Sequence, residues 1–464
     1  MHLVYKHRAA ISVVILIGFL LVRAITSPRS NGDSDVLIRD TQRILDCARS
    51  GVLHGCAIVH FPLFQFIPAL MLKARGTSDA TVAVILAWLN WLAFAATVAL
   101  MWWALRRSVS RTVTLVAVFV LLTGPLLPYA VETFNEPAAA FLVLAFSVAV
   151  LAGAHPGWIV LLGVLAAITK ETAPPFLFLL GLSGLFCRND ARHSNAMTLA
   201  VLVVACGVGA AINSGFNYFR YDTIFNVQLL AREFRVDSLE QQAVNVAGIW
   251  LSPNGGVIPF WPSFALLCGV VGYAVLTARP RVLTSGWPAM LVAALLLGMT
   301  IGLSAWYVPL GWIAWGPRLL LPWLPAVVFL ASYFYSAAIE RGAAWLSANP
   351  ARVWTATVFF IACALPHFLE VLDSQVLWAL FAPDALFPRM MTVQEDRAGY
   401  FAQANHFMWS KGSMLVDSYD WVLHPRFRDK LLLYVACLAV LAQAIAASAR
   451  ESLPPSRSIP APDA

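Results

Sequence analysis

Long apolar runs dominate this chain and limit what it can fold into. Of its 464 residues, 60% are hydrophobic and 12% are charged, roughly half the charged fraction of soluble domains. Apolar runs of about 18 or more residues are long enough to cross a bilayer as helices. A helix satisfies its own backbone hydrogen bonds in hydrocarbon, whereas the alternation of a membrane β-barrel is absent from the sequence. The sequence therefore predicts an all-α membrane protein.

About twelve segments are predicted to be transmembrane spans. They are 9–27, 79–105, 111–130, 136–153, 157–171, 173–187, 195–213, 257–277, 285–307, 318–338, 353–371 and 431–449. The run at 61–72 is too short to cross and is predicted to be an interfacial or re-entrant helix. The first segment has the basic start of a signal peptide, but no small-x-small cleavage site precedes the polar loop, so we predict an uncleaved span.

The basic residues of the connecting loops predict the topology. The connections assigned to the inner side are short and nearly all basic, whereas the longer segments 28–78, 214–256 and 372–430 fall on the outer side. This distribution accounts for the net charge of +7, and the sequence contains no nucleic-acid motif, P-loop or GxGxxG. Nucleic acid is therefore not an expected partner, and membrane lipids are.

Ionisable residues gather on the predicted outer face. Asp33 and Asp35 follow the first span, Glu136 begins the fourth, Lys170 ends the fifth and Arg318 begins the tenth. Charged groups at membrane depth are costly and indicate function by default. Carboxylates can act as a general base or ligate a divalent cation, and Lys or Arg can hold a phosphate.

The same residues also have structural explanations. Asp33 and Asp35 can cap a helix that starts near residue 36, and Lys170 can form a local ion pair with Glu171. A cation such as Arg318 at a helix start opposes the helix dipole, so a bound anion explains it better than a snorkelling side chain.

Two of the seven cysteines lie in the polar stretch after the first span. If that stretch faces an oxidising compartment, Cys47 and Cys56 can form a short-loop disulfide. Two free thiols are the alternative, and the sequence does not decide between them.

Five local motifs resemble those of one enzyme family. They are Gly32-Asp33-Ser34-Asp35, the His/Pro segment "VHFPLFQFIPALML", the pair Glu136-Pro137, "NYFRYDTIFN" followed by "LSPNGGVIPFWP", and "GWIAWGPRLLLPWLP". In order and spacing they are similar to the GT-C superfamily of polytopic glycosyltransferases, which includes protein mannosyltransferases and the lipid A aminoarabinose transferase. The resemblance covers roughly residues 10 to 340, and its most specific motif is the Gly-Pro-Arg run.

The resemblance implies an inverting transfer of a sugar from a polyprenyl-phosphate donor to an acceptor on the outer face. Asp33 would be the base, with Asp35 the second choice, and Arg318 and Lys170 would bind the donor phosphate. The implied substrate-binding residues are Glu136, His60, Tyr218, Asn254 and Trp315. Some members of the superfamily use a divalent cation and others do not, so this cofactor stays open.

The chain departs from the family pattern in three places, one of which is "SPNGG", a loose version of the Ser-Pro-x-x-Gly loop. Asp33-Ser34 stands where the branch commonly has Asp-Glu, and Asp222 stands where Gly is usual. Two other functions compete with glycosyl transfer: a transporter or flippase for lipid-linked saccharides, and a polymerase of such saccharides. A transporter is expected to have charges at the membrane midplane, broken helices or internal repeats; here the charges sit at the outer rim and the repeats are missing.

The expected organisation has three parts. Residues 1–371 form a GT-C-like transmembrane catalytic module, 372–430 an outer-face loop or small subdomain, and 431–464 the last span with a disordered cytoplasmic tail. We expect an integral protein of a bacterial inner (plasma) membrane, with both termini cytoplasmic and the active site on the outer face.

Overall fold

The computed structural model describes most of the chain. It covers residues 2–26, 32–58, 63–186, 195–226, 235–236, 238–277, 283–306, 310, 316–373, 408–409, 414–422 and 424–451, with the backbone alone at 2–6, 32–34, 283–289 and 414–415. All later statements about the structure concern these residues.

Helices account for nearly all of the secondary structure in these ranges. The α-helices are α1 His2–Thr26, α2 Gly32–Arg49, α3 Leu63–Ala74, α4 Asp79–Ser108, α5 Arg111–Leu122, α6 Glu136–Leu151, α7 Pro156–Ala167, α8 Ala173–Leu182, α9 Asn195–Tyr221, α10 Leu239–Leu251, α11 Val257–Phe260, α12 Pro262–Thr277, α13 Leu283–Ser304, α14 Leu324–Phe334, α15 Ser336–Ser347, α16 Pro350–Leu372, α17 Met414–Asp417, α18 Tyr419–Val422 and α19 Arg428–Glu451. Short 3-10 helices occupy Pro128–Val131, Ser183–Phe186 and Arg318–Leu320. Within the described ranges, β-pairing is limited to one isolated bridge between Arg235 and Trp306.

Five of the described helices are long and apolar enough to cross a membrane. They are His7–Thr26, Asp79–Ser108, Asn195–Tyr221, Pro350–Leu372 and Arg428–Glu451. Most of the other predicted spans correspond to apolar helices of 10–17 residues, which is shorter than the roughly 20 residues that a helix needs to span hydrocarbon alone. The chain is an all-helical membrane protein, and twelve spans stay a prediction.

Proline and glycine divide several predicted spans. In the segment 111–130 the α-helix ends at Leu122, just before Gly124 and Pro125. The segment 257–277 is two helices, interrupted at Trp261, which precedes Pro262. The segment 318–338 starts as a 3-10 turn, continues as α14 and gives way to α15 at Tyr335. The short helix predicted near 61–72 is present as α3.

Contacts between distant residues define two ends of the helix bundle. Arg23, near the end of α1, donates from Nη2 to the carbonyl oxygen of Leu372 at the end of α16, at 2.6 Å. At the other end, Oγ1 of Thr112, at the start of α5, donates a hydrogen bond to Oγ of Ser448, in the last turns of α19, at 2.9 Å. We call these the site end and the opposite end, because the ionisable cluster described below lies at the first.

Small residues bring α7 and α9 into close contact. A Cβ added at Gly209 would stand 2.3 Å from the Cβ of Ala167, and one added at Gly163 would stand 2.8 Å from the Cβ of Ala205. Membrane helices pack tightly through such small residues, since lipid supplies no hydrophobic force between them. This contact fixes the end of α7, which leads directly to Lys170.

We expect Gly209→Ala to destabilise the protein, because the added methyl group overpacks the contact with Ala167. The free energy of unfolding should fall by about 1–3 kcal/mol, measured by denaturant unfolding in detergent. Gly207 is the matched control on the same helix, since its added Cβ would meet no atom within 4 Å. Gly207→Ala should leave stability unchanged or raise it by up to ~1 kcal/mol; equal losses in both variants would contradict the assignment.

Candidate functional site

A fully buried carboxylate, Glu136, is the centre of the candidate site. Its Oε1 lies 3.1 Å from Nζ of Lys170 and 3.0 Å from Nε of Arg318. Glu136 is the first residue of α6, where the helix dipole favours a negative charge, and Pro137 follows it in the first turn. Two cations from distant parts of the sequence thus share one carboxylate at the site end.

Buried amide side chains hold the segment that precedes Glu136. Nδ2 of Asn90, in the middle of α4, donates to the carbonyl oxygen of Glu132 at 2.7 Å and also to that of Phe134. Nδ2 of Asn135 donates to the carbonyl oxygen of Thr169 at 2.6 Å. These bonds join α4, the start of α6 and the residue before Lys170. They therefore fix the backbone positions of Glu136 and Lys170 relative to each other.

Arg318 is positioned by the turn in front of it. Gly316 has a φ of +68°, a conformation that favours glycine, and Arg318 then begins a 3-10 helix. The guanidinium lies over the ring of Phe134, with Cζ 3.7 Å from the ring centre. A cation–π contact and an ion pair together fix its direction. The glycine of the Gly-Pro-Arg motif therefore permits the turn that places Arg318 beside Glu136.

Exposure differs between the carboxylate and the two cations. The side chain of Glu136 is 0% exposed, whereas those of Lys170 and Arg318 are 21% and 11% exposed. Oε2 of Glu136 has no hydrogen-bond partner among the described residues. The carboxylate therefore lies behind the cations, and an anion that approaches from the accessible side meets Lys170 and Arg318 first.

Glu171 belongs to a separate, neighbouring ion pair. Its Oε2 lies 3.4 Å from Nη2 of Arg220, and its Oε1 accepts a hydrogen bond from Nδ2 of Asn217 at 2.6 Å. The alternative that Lys170 simply pairs with Glu171 is therefore wrong, because successive side chains leave the backbone in different directions. Lys170 points to Glu136 and Glu171 points to Arg220.

Cys47 and Cys56 form a disulfide, with their Cα atoms 6.2 Å apart. The loop that the bond closes is attached to the end of α9, because the backbone N–H groups of Cys56 and Ala57 donate to the carbonyl oxygens of Phe219 and Arg220, both at 2.9 Å. The stretch after the first span is thereby placed at the site end.

The two predicted acids lie in the first turn of α2, which begins at Gly32 and not near residue 36. The structural alternative of a cap before the helix is therefore wrong in detail, although carboxylates also suit a first turn. Asp35 is exposed, and its side chain makes no described hydrogen bond or ion pair to the Glu136 cluster. The side chain of Asp33 lies outside the described part.

Two of the remaining predicted substrate-binding residues lie in the described part of the chain, and neither makes a described contact with Glu136. Tyr218 is 45% exposed and its ring centre lies 5.6 Å from that of His54, whereas Asn254 is buried in the loop after α10. His60 and Trp315 lie outside the described residues. In the described ranges, no three His, Cys, Asp or Glu side chains are placed to hold a metal ion.

Several buried polar residues of this end were not named as candidates from the sequence, although Arg220 lies within the quoted "NYFRYDTIFN" motif. Asn90, Arg220 and Glu370 are each at most 1% exposed, and Asp40 on α2 is buried as well. A signal was present, since a polar residue inside an apolar run is a functional candidate by the same rule that selected Lys170. The pairing partners were not visible, because they are far apart in sequence.

The helical architecture and the long apolar helices define the class: this is an integral membrane protein of the all-α type. In comparisons with known proteins, no family model and no curated sequence matches the chain. The GT-C resemblance of the local motifs therefore stays a prediction.

We expect Glu136→Gln to destabilise the protein, because it leaves two partly buried cations without their shared counter-ion. Loss of one partner of a buried ion pair costs about 3–5 kcal/mol, measurable by denaturant unfolding in detergent. Asp46→Asn is the control, since Asp46 pairs with Arg49 at 3.5 Å where both side chains are exposed. That change should cost under ~1 kcal/mol. If Glu136→Gln is equally mild, the cluster does not hold this end together.

Proposed function

We propose that the protein is an inverting glycosyltransferase that moves a sugar from a polyprenyl-phosphate donor to a lipid, glycan or protein acceptor. The observation that carries the proposal is the convergence of Lys170 and Arg318 on Glu136 at the ends of apolar helices. A polyprenyl phosphate presents its anionic group at this depth, since its tail lies in the bilayer.

The chemistry of the two cations suits a phosphate. Arg offers a planar set of donors that matches phosphate oxygens, and Lys acts as a compact point charge. In the proposed reaction the acceptor hydroxyl oxygen attacks the anomeric carbon, the bond from that carbon to the phosphate oxygen breaks, and Lys170 and Arg318 stabilise the leaving phosphate.

The base in this proposal is Asp33, with Asp35 as the second choice. An ionised carboxylate accepts the proton of the acceptor hydroxyl as the new glycosidic bond forms. Placement of α2 supports this role, because its disulfide-closed loop is attached to the end of α9 at the site end. The backbone N–H of Phe64, at the start of α3, also donates to the carbonyl oxygen of Ile168 at 3.2 Å, two residues before Lys170.

The distribution of basic residues supports an outer-face site. At the opposite end, the guanidinium of Arg107 lies over the ring of Trp103 at 4.0 Å, and that of Arg352 over Trp345 at 4.3 Å. Trp is enriched at both membrane interfaces, whereas Arg in short loops is enriched on the cytoplasmic side. The site end is then the outer one, in keeping with an inner-membrane protein of a bacterium whose termini are both cytoplasmic.

We expect cysteine labelling to establish this topology. Ala74→Cys, exposed at the end of α3 shortly before α4 begins, should react in intact cells with a maleimide that cannot cross the membrane. Ala348→Cys, exposed between α15 and α16, should react only after the cells are opened. The reverse pattern would place the Glu136 cluster inside and would contradict a donor on the outer face.

We expect Lys170→Ala and Arg318→Ala each to lower donor turnover by about 100-fold or more, the loss typical for one group that stabilises developing charge. The measurement is transfer or hydrolysis of a polyprenyl-phosphate sugar by purified protein. Arg352→Ala is the control, because this basic residue lies at the opposite end.

Asp33→Asn tests the base separately, with Asp35→Asn beside it. Loss of transfer with donor binding retained would identify the base. If the wild type neither transfers nor hydrolyses any such donor but moves it across vesicle membranes, a flippase would replace the enzyme proposal, and chain extension of a lipid-linked glycan would indicate a polymerase.

A further inference from the structure

Arg220 lies where the end of α9 meets the turn between α7 and α8 and the disulfide-closed loop. Its side chain, in the last turn of α9, is fully buried, and its Nη2 lies 3.4 Å from Oε2 of Glu171. The same nitrogen donates to Oδ1 of Asn217. The rings of Phe216 and Tyr221 lie 5.3 Å and 4.6 Å from Cζ. A charged group enclosed on these sides loses its hydration, so it must be compensated by an opposite charge and hydrogen bonds.

The first segment that Arg220 holds is the turn between α7 and α8. Nδ2 of Asn217 donates to Oε1 of Glu171 at 2.6 Å, and Nδ2 of Asn226 donates to Oε2. Both carboxylate oxygens of Glu171 are therefore engaged. Since Lys170 is the adjacent residue, fixing Glu171 on one side of the backbone fixes the position from which Lys170 reaches Glu136.

The second segment is the disulfide-closed loop. The backbone carbonyl of Arg220 accepts from the N–H of Ala57, and the preceding carbonyl accepts from the N–H of Cys56, both at 2.9 Å. The buried carboxylate of Asp40, on α2, also lies within electrostatic range of Arg220. Cys47 belongs to α2, so the disulfide also links the helix that begins with the two acids to this loop.

We propose that Arg220 is a positioning residue: through Glu171 it holds Lys170 in place to bind an anionic phosphate, and its buried side chain fixes the end of α9, whose carbonyl oxygens hold the disulfide-closed loop. Arg220 does not touch the phosphate itself. The part that concerns phosphate rests on the proposed function, whereas the part that concerns the loop does not.

The test uses the full-length protein in detergent with two measurements. The first is the affinity for polyprenyl phosphate without a sugar, by native mass spectrometry. The second is the rate at which a thiol reductant opens the Cys47–Cys56 bond, followed by a gel shift after thiol alkylation. The variants are Arg220→Gln, Arg220→Lys and Glu171→Gln, with Arg49→Gln as the control because Arg49 forms an exposed ion pair in the same region.

We expect Arg220→Gln and Glu171→Gln to bind polyprenyl phosphate about tenfold more weakly, the size of a typical coupling between contacting groups. In Arg220→Gln the disulfide should also be reduced several-fold faster. Arg220→Lys should recover part of the polyprenyl-phosphate affinity and part of the resistance to reduction. Lysine keeps the positive charge but lacks the several N–H donors of the guanidinium. Arg49→Gln should match the wild type.

The outcomes separate the two proposals. If the wild type binds no polyprenyl phosphate, the donor assignment fails, and the reduction rate still tests the docking of the loop. If the wild type binds and the Arg220 and Glu171 variants bind equally well, the positioning role is overturned. Should Arg220→Gln fail to accumulate, Glu171→Gln and Arg220→Lys give the same comparison.

Discussion

The arrangement of the site end follows from the cost of burying the Glu136 carboxylate. An ionised group at a position with no exposure must be compensated by opposite charge and hydrogen bonds, or the fold loses several kcal/mol. Here one oxygen of Glu136 receives both Lys170 and Arg318. The two cations come from the turn after α7 and the turn before α14, so this single requirement brings together segments that are almost 150 residues apart in the chain.

A second buried pair extends the same logic to the neighbouring helix. Glu171 faces Arg220 at the end of α9 while Lys170 faces Glu136, so one turn of backbone contributes to both pairs. The close contact of α7 with α9 through Gly209 and Ala167 makes this possible. Small residues along the helices and charges at their ends are therefore parts of one arrangement: without the close helix contact, Arg220 would not reach Glu171.

Hydropathy predicts the helical membrane class because apolar length is a local property of the sequence. Local apolar length also predicts the short helix α3. The grouping of Glu136, Lys170 and Arg318 at one end is predictable as well, since each residue lies at the end of a predicted span. Pairing is not local. Adjacent residues such as Lys170 and Glu171 suggest an ion pair, yet their side chains diverge, and the real partners lie 34 and 49 residues away. The start of α2 at Gly32 also lay beyond reach, because helix ends depend on tertiary contacts as well as on caps.

The shared carboxylate also bears on turnover under the proposed function. Two uncompensated cations in a poorly hydrated site would hold a phosphate strongly, because Coulomb attraction grows as the dielectric constant falls. A polyprenyl phosphate is the product as well as part of the donor, so it must leave after each transfer. Glu136 partly neutralises Lys170 and Arg318 from behind while leaving their accessible sides towards the ligand. Under the proposed function, the same carboxylate that orients the cations would limit how tightly they retain the product, and repeated transfer would be compatible with a positively charged site.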